Sequence, residues 1–366
     1  MRFYDQQHEF YCGVDLHTRK MYLCILDREG NKRLHRNMRA KPDDFLRAIK
    51  PFREGLVIGV ECMFSWYWLA DLCVDESLDF ILGHALYMKA IHGGKNKDDR
   101  IDSEKIARLM RGGTFPLSYV YPREMRATRD LLRRRTFLMR RRSELLTHVQ
   151  LVNHQYNLDP FEKCLRYAAN RDVLDRFSEE SARHNVEADL EMIGHYDTLL
   201  QRLELNILRQ AKVHDPQARF LLRTIPGIGE ILSHVLLYEI HNIHRFASVG
   251  HFLSYARLVT PQHTSDGKRT GGGGAKIGNA HLKWAFSEAV PLMLRECAEA
   301  KQFVERKEKK HGKSRAMTML ARKIGRAVYQ MLKRKEAFDP FNSKHSEVFC
   351  QLTRGRWWSR TDNSGH

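Results

Sequence analysis

The 366-residue chain has no apolar run approaching the roughly 18–20 residues that span a bilayer. Its first twenty residues carry no apolar core of a secretory leader. These absences predict neither a membrane nor a secreted protein, and point to a cytoplasmic one. Cysteine is sparse and scattered, at 12, 24, 62, 73, 164, 297 and 350, with no CxxC pair. That pattern excludes a disulfide framework and a zinc ligand set. Acids are the minority charge: 44 Asp and Glu face 62 Lys and Arg, a surplus of +18. Such a surplus predicts a polyanionic partner, most simply nucleic acid. The 42% hydrophobic content is ample for folded cores.

What is present divides into four stretches. Residues 1–120 read as an α/β domain. Phe10–Val14, Met21–Leu26 and Lys32–Asn37 form a meander with turns at His17–Lys20 and Asp27–Asn31. Pro42, Asp43 and Asp44 open a helix. Leu56–Val60 (LVIGV) is all apolar, as in a strand buried on both faces. A helix at Trp66–Cys73 and a strand at Asp79–Leu82 follow. Residues 121–213 carry leucines at three-, four- and seven-residue spacings, predicting a long helix broken at Asp159-Pro160 and a second over Glu187–Lys212. They form a helical stalk, an αα-hairpin or coiled coil, that invites a partner chain. Residues 214–336 predict a mainly α domain, ending in a very basic helical stretch at 301–336. The tail, 337–366, is basic and aromatic and reads as poorly ordered or late-docking.

Four constellations carry chemistry. Asp15 ends the first strand and Glu61 the buried one, while Asp99 and Asp102 lie three residues apart at a helix start. Acids so placed converge on one sheet edge and suit Mg²⁺ or Mn²⁺, which stabilise the oxygens of a phosphoryl transfer. Asp98 is an alternative ligand, with Asp99 preferred on spacing. His17 stands near Asp15 and is read as part of the turn, with tuning of the metal site as the alternative. The second constellation, Thr224-Ile225-Pro226-Gly227-Ile228-Gly229, resembles a helix-hairpin-helix turn, whose backbone amides around Gly227 and Gly229 suit a phosphate. The third is the loop Thr260–Asn279, where Ser265 precedes Asp266-Gly267, Lys268, Arg269, four glycines and Lys276. Taken alone, Ser-Asp-Gly reads as a turn, and Thr264 and Thr270 are rival hydroxyls. The fourth is basic helical surface: nine arginines in residues 123–142, among them Arg129, Arg133, Arg134, Arg140 and Arg141, opposed only by Glu124 and Asp130. Arginine suits phosphate forks and base stacking. Trp357 and Trp358, among arginines, can stack on bases or fill a hydrophobic groove.

The motifs GVDLHT, VE after a strand, and KNKDDRIDSEKIA together resemble the RuvC-like DEDD domain of IS110-family insertion-sequence transposases. TIPGIG, RFASVGHFLSYARLVTPQHTSDGKR and KIGNAHLKWAFSEA resemble that family's C-terminal transposase domain, with the loop nearest its IS1111 subgroup. The resemblance implies a RuvC-like (RNase H-like) α/β fold and recombination rather than hydrolysis. Asp15, Glu61, Asp99 and Asp102 would hold metal. Ser265 would be the nucleophile, forming a 5′-phosphoserine link to DNA and releasing a 3′-OH. It also implies an element-encoded bridge or seeker RNA that pairs with donor and target DNA, and dimers that pair into a tetramer sharing active sites across chains. The working place would be the nucleoid of a prokaryotic cell. Two residues depart from the family pattern: Ser103 where alanine is common, and Arg257 where glycine is expected. The competing readings are a RuvC-like nuclease that hydrolyses junctions without a serine intermediate, and an architectural nucleic-acid-binding protein with inert acids.

Overall fold

The computed structural model describes residues 2–91, 98–211, 214–259, 264–265, 268–269 and 277–338. The chain divides into two compact units, Met1–Glu124 and Met125–His366. The first is a mixed α/β unit. The second is mostly helical.

In the first unit β1 (Phe3–Tyr4) leads to β2 (Phe10–Leu16), β3 (Lys20–Asp27) and β4 (Lys32–Arg39), the expected meander. The helix α1 (Pro42–Ile49), β5 (Leu56–Glu61), α2 (Tyr67–Asp75), β6 (Asp79–Gly83), α3 (Ala85–Ile91), α4 (Asp99–Arg111) and β7 (Phe115–Pro116) follow. Five strands form one sheet in the order β4-β3-β2-β5-β6. β3 runs antiparallel to both neighbours, while β5 and β6 run parallel to β2. The LVIGV run is buried throughout, because helices cover both faces.

Strand alternation sorts the faces. Cys12, Val14, Ile58 and Val60 pack with Phe45, Ile49, Leu69 and Cys73 of α1 and α2. Tyr11 and Val57 pack on the other face, with Ile106, Leu109 and Met110 of α4. Helix α4 crosses β2 over Gly13 so closely that a Cβ there would lie 2.1 Å from the Ser103 carbonyl oxygen and 2.5 Å from the Ala107 amide nitrogen. Ser103, fully buried, is itself part of this crossing. A small residue is needed there, and serine serves.

The second unit begins with α5 (Arg123–Gln155) and α6 (Glu180–Gln210). The first helix stops before the expected Asp159-Pro160. Asn157 turns to φ +52°, and the Asn153 amide donates to the Leu158 and Asp159 carbonyls, which ends the helix locally. The second starts at Glu180, two turns earlier than its leucine spacing predicts. Next come α7 (Pro216–Arg223), α8 (Glu230–Ile240), α9 (Val249–Tyr255), the short pair β8 (Thr264–Ser265) and β9 (Lys268–Arg269), and α10 (Ala280–Glu296). The basic stretch is two helices, α11 (Ala298–His311) and α12 (Lys313–Arg334), divided at Gly312 with φ +80°. Leu222, Leu236, Phe252, Phe286 and Val328 centre the core of this unit. A smaller cluster around Val149, Val186 and Ile193 holds the far end of the α5–α6 pair. No described helix is long and apolar enough to cross a membrane.

Candidate functional site

The parity that places Tyr11 and Gly13 toward α4 also places Asp15 and, just past the strand's end, His17. On β5 the same face carries Val57, Gly59 and Glu61. Val14 pairs with Val60, so Asp15 and Glu61 are the next residues along neighbouring parallel strands. The Gly13 crossing brings the first turn of α4 over this end of the sheet. Three elements distant in sequence therefore converge because a glycine-scale contact lets a helix lie close.

His17 stands at the centre. Its Nε2 is 3.3 Å from Asp15 Oδ2 and 3.2 Å from Asp99 Oδ1. Ligand atoms of Asp15, His17 and Asp99 all lie within 4.8 Å of one another, close enough to share one cation. Asp98 has a different task. It is the N-cap of α4 and accepts from the Arg100 amide at 3.1 Å. Asp102 lies one turn beyond Asp99 and is held by Lys105 Nζ at 3.1 Å. Glu61 is half-buried. Glu61 and Asp102 stand outside the 4.8 Å group.

Electrostatics follow the packing. Burial raises the Asp15 carboxyl above its ordinary range, the Asp99 and Asp102 charges add to the rise, and His17 opposes it. Burial works to lower the His17 imidazole, but the Asp15 and Asp99 carboxylates outweigh it, so its proton is held more tightly than usual. His17 thus stands where a cation would, between two carboxylates. Carboxylate oxygens gathered this closely are hard ligands that fit Mg²⁺ or Mn²⁺. His17 therefore belongs to the acid cluster as well as to the turn. Its position two residues after Asp15 is the sequence signal that it shares the acid's face.

In the helical unit, Gly227 has φ +83°, and a Cβ there would sit 2.5 Å from the Met293 amide nitrogen. The turn is therefore pressed against α10. Gly229, the N-cap of α8, has open space beside it. Ser265 pairs with Lys268, and Thr264 with Arg269, across β8 and β9. Lys276, Thr270, Asp266 and the four glycines lie outside the described residues, as do Trp357 and Trp358.

The arginine run divides by direction. Arg129 and Arg133 turn inward onto Glu239, which is 2% exposed. Arg129 Nη2 lies 2.9 Å from Oε2, and Arg133 Nε 2.6 Å from Oε1. Arg135 pairs with Glu204 at 2.6 Å and Arg142 with Asp197 at 2.5 Å, both on α6. Arg134, Arg140 and Arg141 are exposed. Arg134 and Arg141 lie over the Phe137 ring at 5.4 and 5.1 Å. Arg141 also meets Glu144, itself on the surface, at 2.6 Å. The outward three form the basic surface, and the inward four tie helices together.

Residues 12–156 match the DEDD_Tnp_IS110 family model, described as a transposase. Residues 220–305 match the model of the transposase IS116/IS110/IS902 family. The transposase for insertion sequence element IS1111A of Coxiella burnetii is 22% identical over 89% of this chain and 90% of its own length. A probable family 20 transposase of Pseudomonas aeruginosa is 23% identical over 90% of this chain and 98% of its own. With both matches present in order, and relatives aligned nearly end to end, the chain carries the transposase domains of the IS110/IS116/IS902 family.

Proposed function

We propose that the chain is a metal-assisted DNA transposase that cuts and rejoins strands through Ser265, guided by an element-encoded RNA. The observation that carries this reading is the convergence of Asp15 and Asp99, from a strand and a distant helix, on one imidazole, with ligand atoms of all three within 4.8 Å of one another. Strand order β4-β3-β2-β5-β6, with the acids at the ends of β2 and β5, supports a RuvC-like domain.

In this reading Asp15, Glu61, Asp99 and Asp102 would hold divalent metal, whose charge would stabilise the phosphoryl transfer. The Ser265 hydroxyl attacks the DNA phosphorus and gives up its proton. The bond from phosphorus to the 3′ oxygen breaks, and that oxygen leaves as the 3′-OH. A phosphoserine ester remains on the 5′ end. The new 3′-OH later attacks a partner strand's phosphoserine and returns the serine hydroxyl. Each step exchanges one phosphoester for another, so no nucleotide hydrolysis is needed. Ser265 must reach the acids of its own chain or of a second copy. Exposed Leu151, Met192, Leu205 and Leu208 on the long helices support pairing of chains into dimers and tetramers through this stalk. Donor and target DNA, and the guide RNA that pairs with them, would lie along the outward arginines Arg134, Arg140 and Arg141.

The test uses end-labelled element DNA, the full chain and Mg²⁺ or Mn²⁺. Denaturing electrophoresis should show a protein–DNA adduct that Ser265→Ala abolishes and Asp99→Asn strongly reduces. Cleavage that survives Ser265→Ala, with a free 5′-phosphate, assigns the chain to hydrolysis instead. Cells carrying the whole element should yield a nuclease-protected RNA bound to the protein. Its absence refutes the guided part.

A further inference from the structure

Arg257 holds φ +55°, a left-handed conformation that side chains disfavour and glycine adopts freely. Such a conformation persists where its surroundings demand it. What the side chain does there is specific. Arg257 Nε donates to the Ile277 carbonyl at 2.9 Å. Its Cγ lies against Gly278, where a Cβ would come within 3.1 Å. Beside it the Asn279 amide donates to the Tyr255 carbonyl at 2.6 Å. Residues 255–257 and 277–279 are thus joined at one point, one before and one after the segment that carries Ser265.

That point is anchored in the core. The Asn279 side-chain oxygen caps α10 by accepting from the His281 and Leu282 amides, at 2.9 and 3.0 Å. Its amide group donates to Glu239 Oε2 at 2.7 Å, the same carboxylate that Arg129 and Arg133 hold. A buried, multiply bonded carboxylate fixes geometry because any displacement leaves charge unpaired.

We infer that Arg257 is a positioning residue, a clasp across the neck of the Ser265 segment that sets where the nucleophile is presented. It touches no reacting atom. The inference rests on the serine reading above. Glycine in its place would relax the backbone but could not reach Ile277.

The experiment compares the intact protein with Arg257→Gly and Arg257→Lys. Labelled element-end DNA is used at saturating concentration, together with a DNA-binding titration and a thermal melt. Arg257→Gly should melt no lower than the parent and bind DNA within twofold. It should form the adduct at least tenfold more slowly, with part of the rate recovered by Arg257→Lys. An adduct rate within twofold of the parent overturns the clasp. So does a loss that arises from weaker DNA binding or from a lowered melt. Ser265→Ala in the otherwise unchanged chain is run in parallel. Persistent cleavage there defeats the serine reading whatever Arg257 does, whereas a Ser265-dependent adduct indifferent to Arg257→Gly defeats only the clasp.

Discussion

The acid site depends on a helix lying unusually close to a strand, and Gly13→Ala tests that dependence. A Cβ at Gly13 would stand 2.1 Å from the Ser103 carbonyl oxygen and 2.5 Å from the Ala107 amide nitrogen. Both atoms are backbone, so no side chain can swing aside. To reach ordinary contact near 3.4 Å, α4 must back away by about 1.3 Å. Forcing a methyl into a packed interface costs about 1–3 kcal/mol, and the backbone character of both neighbours argues for the upper half, about 2–3 kcal/mol. The same retreat moves Asp99 and Asp102 away from Asp15. A global melt would mix the two units, so amide hydrogen exchange on the intact chain is the better assay. Peptides from β2 and α4 should exchange roughly 30- to 150-fold faster, since about 1.4 kcal/mol corresponds to a factor of ten. Peptides from α8 and α10 should be unchanged. Mn²⁺ binding, followed by calorimetry, should weaken in step. Exchange in β2 and α4 within threefold of the parent would refute the close-crossing argument.

Three further perturbations separate roles that the sequence leaves merged. Asp99→Asn should remove Mn²⁺ binding, whereas Asp98→Ala should keep it and cost about 1 kcal/mol of helix stability as the cap disappears, read by exchange at the start of α4. Alanine at Arg134, Arg140 and Arg141 should weaken nucleic-acid binding and lower the salt slope by about 0.9 for each phosphate no longer neutralised. Arg142→Ala should instead loosen the α5–α6 pair, because Arg142 joins Asp197 and the Arg166 carbonyl. The third concerns Glu239. Burial raises its carboxyl, but the Arg133 hydrogen bond, the Arg129 and Arg133 charges and the Asn279 amide override burial and bring it down to about 2 from an ordinary 4.5. Its folded pKa is depressed, so its contribution is full above pH 4.5 and drains away as pH falls toward 2. Glu239→Gln should flatten that acid limb in a pH series of melts and cost about 3–5 kcal/mol at neutral pH, because two arginines lose their countercharge. An unaltered acid limb in Glu239→Gln would assign it to other carboxylates.

Much of the first unit is legible in the sequence, for definite reasons. The meander shows itself through apolar runs bounded by DREGN and LHTRK, and LVIGV through a lack of alternation that only a two-sided burial explains. The acids can be placed at strand ends because they directly follow those runs. His17 is legible too, since the period of two that faces Asp15 toward α4 carries His17 with it. Helix ends are less legible. The spacing of leucines marks a stripe, but Asn153 and Asn157 decide where α5 stops, through hydrogen bonds that no periodicity records. The basic helical stretch expected at 301–336 is two helices because Gly312 takes a positive φ that breaks the ladder.

The arginine run shows why charge alone under-determines function. Glu239, Glu204 and Asp197 sit 55 to 110 residues from their partners on α5, so local sequence cannot reveal which arginines are spoken for. Spacing offers a partial key: Arg129 and Arg133 lie four apart, and Arg135 and Arg142 seven, so each pair shares a helix face. A surface helix rich in one sign would repel itself without a polyanion. Here each inward arginine is paired with a carboxylate of the protein, and Arg129 and Arg133 share one, while Arg134, Arg140 and Arg141 face solvent. The inward pairs are poor sources of net stability, because desolvation offsets most of their attraction. Their value lies in direction: they fix α5 against α6 and α8, so that the outward arginines present one face. A nucleic acid bound there would meet a surface whose orientation is set by the same buried carboxylate that steadies the neck of the Ser265 segment.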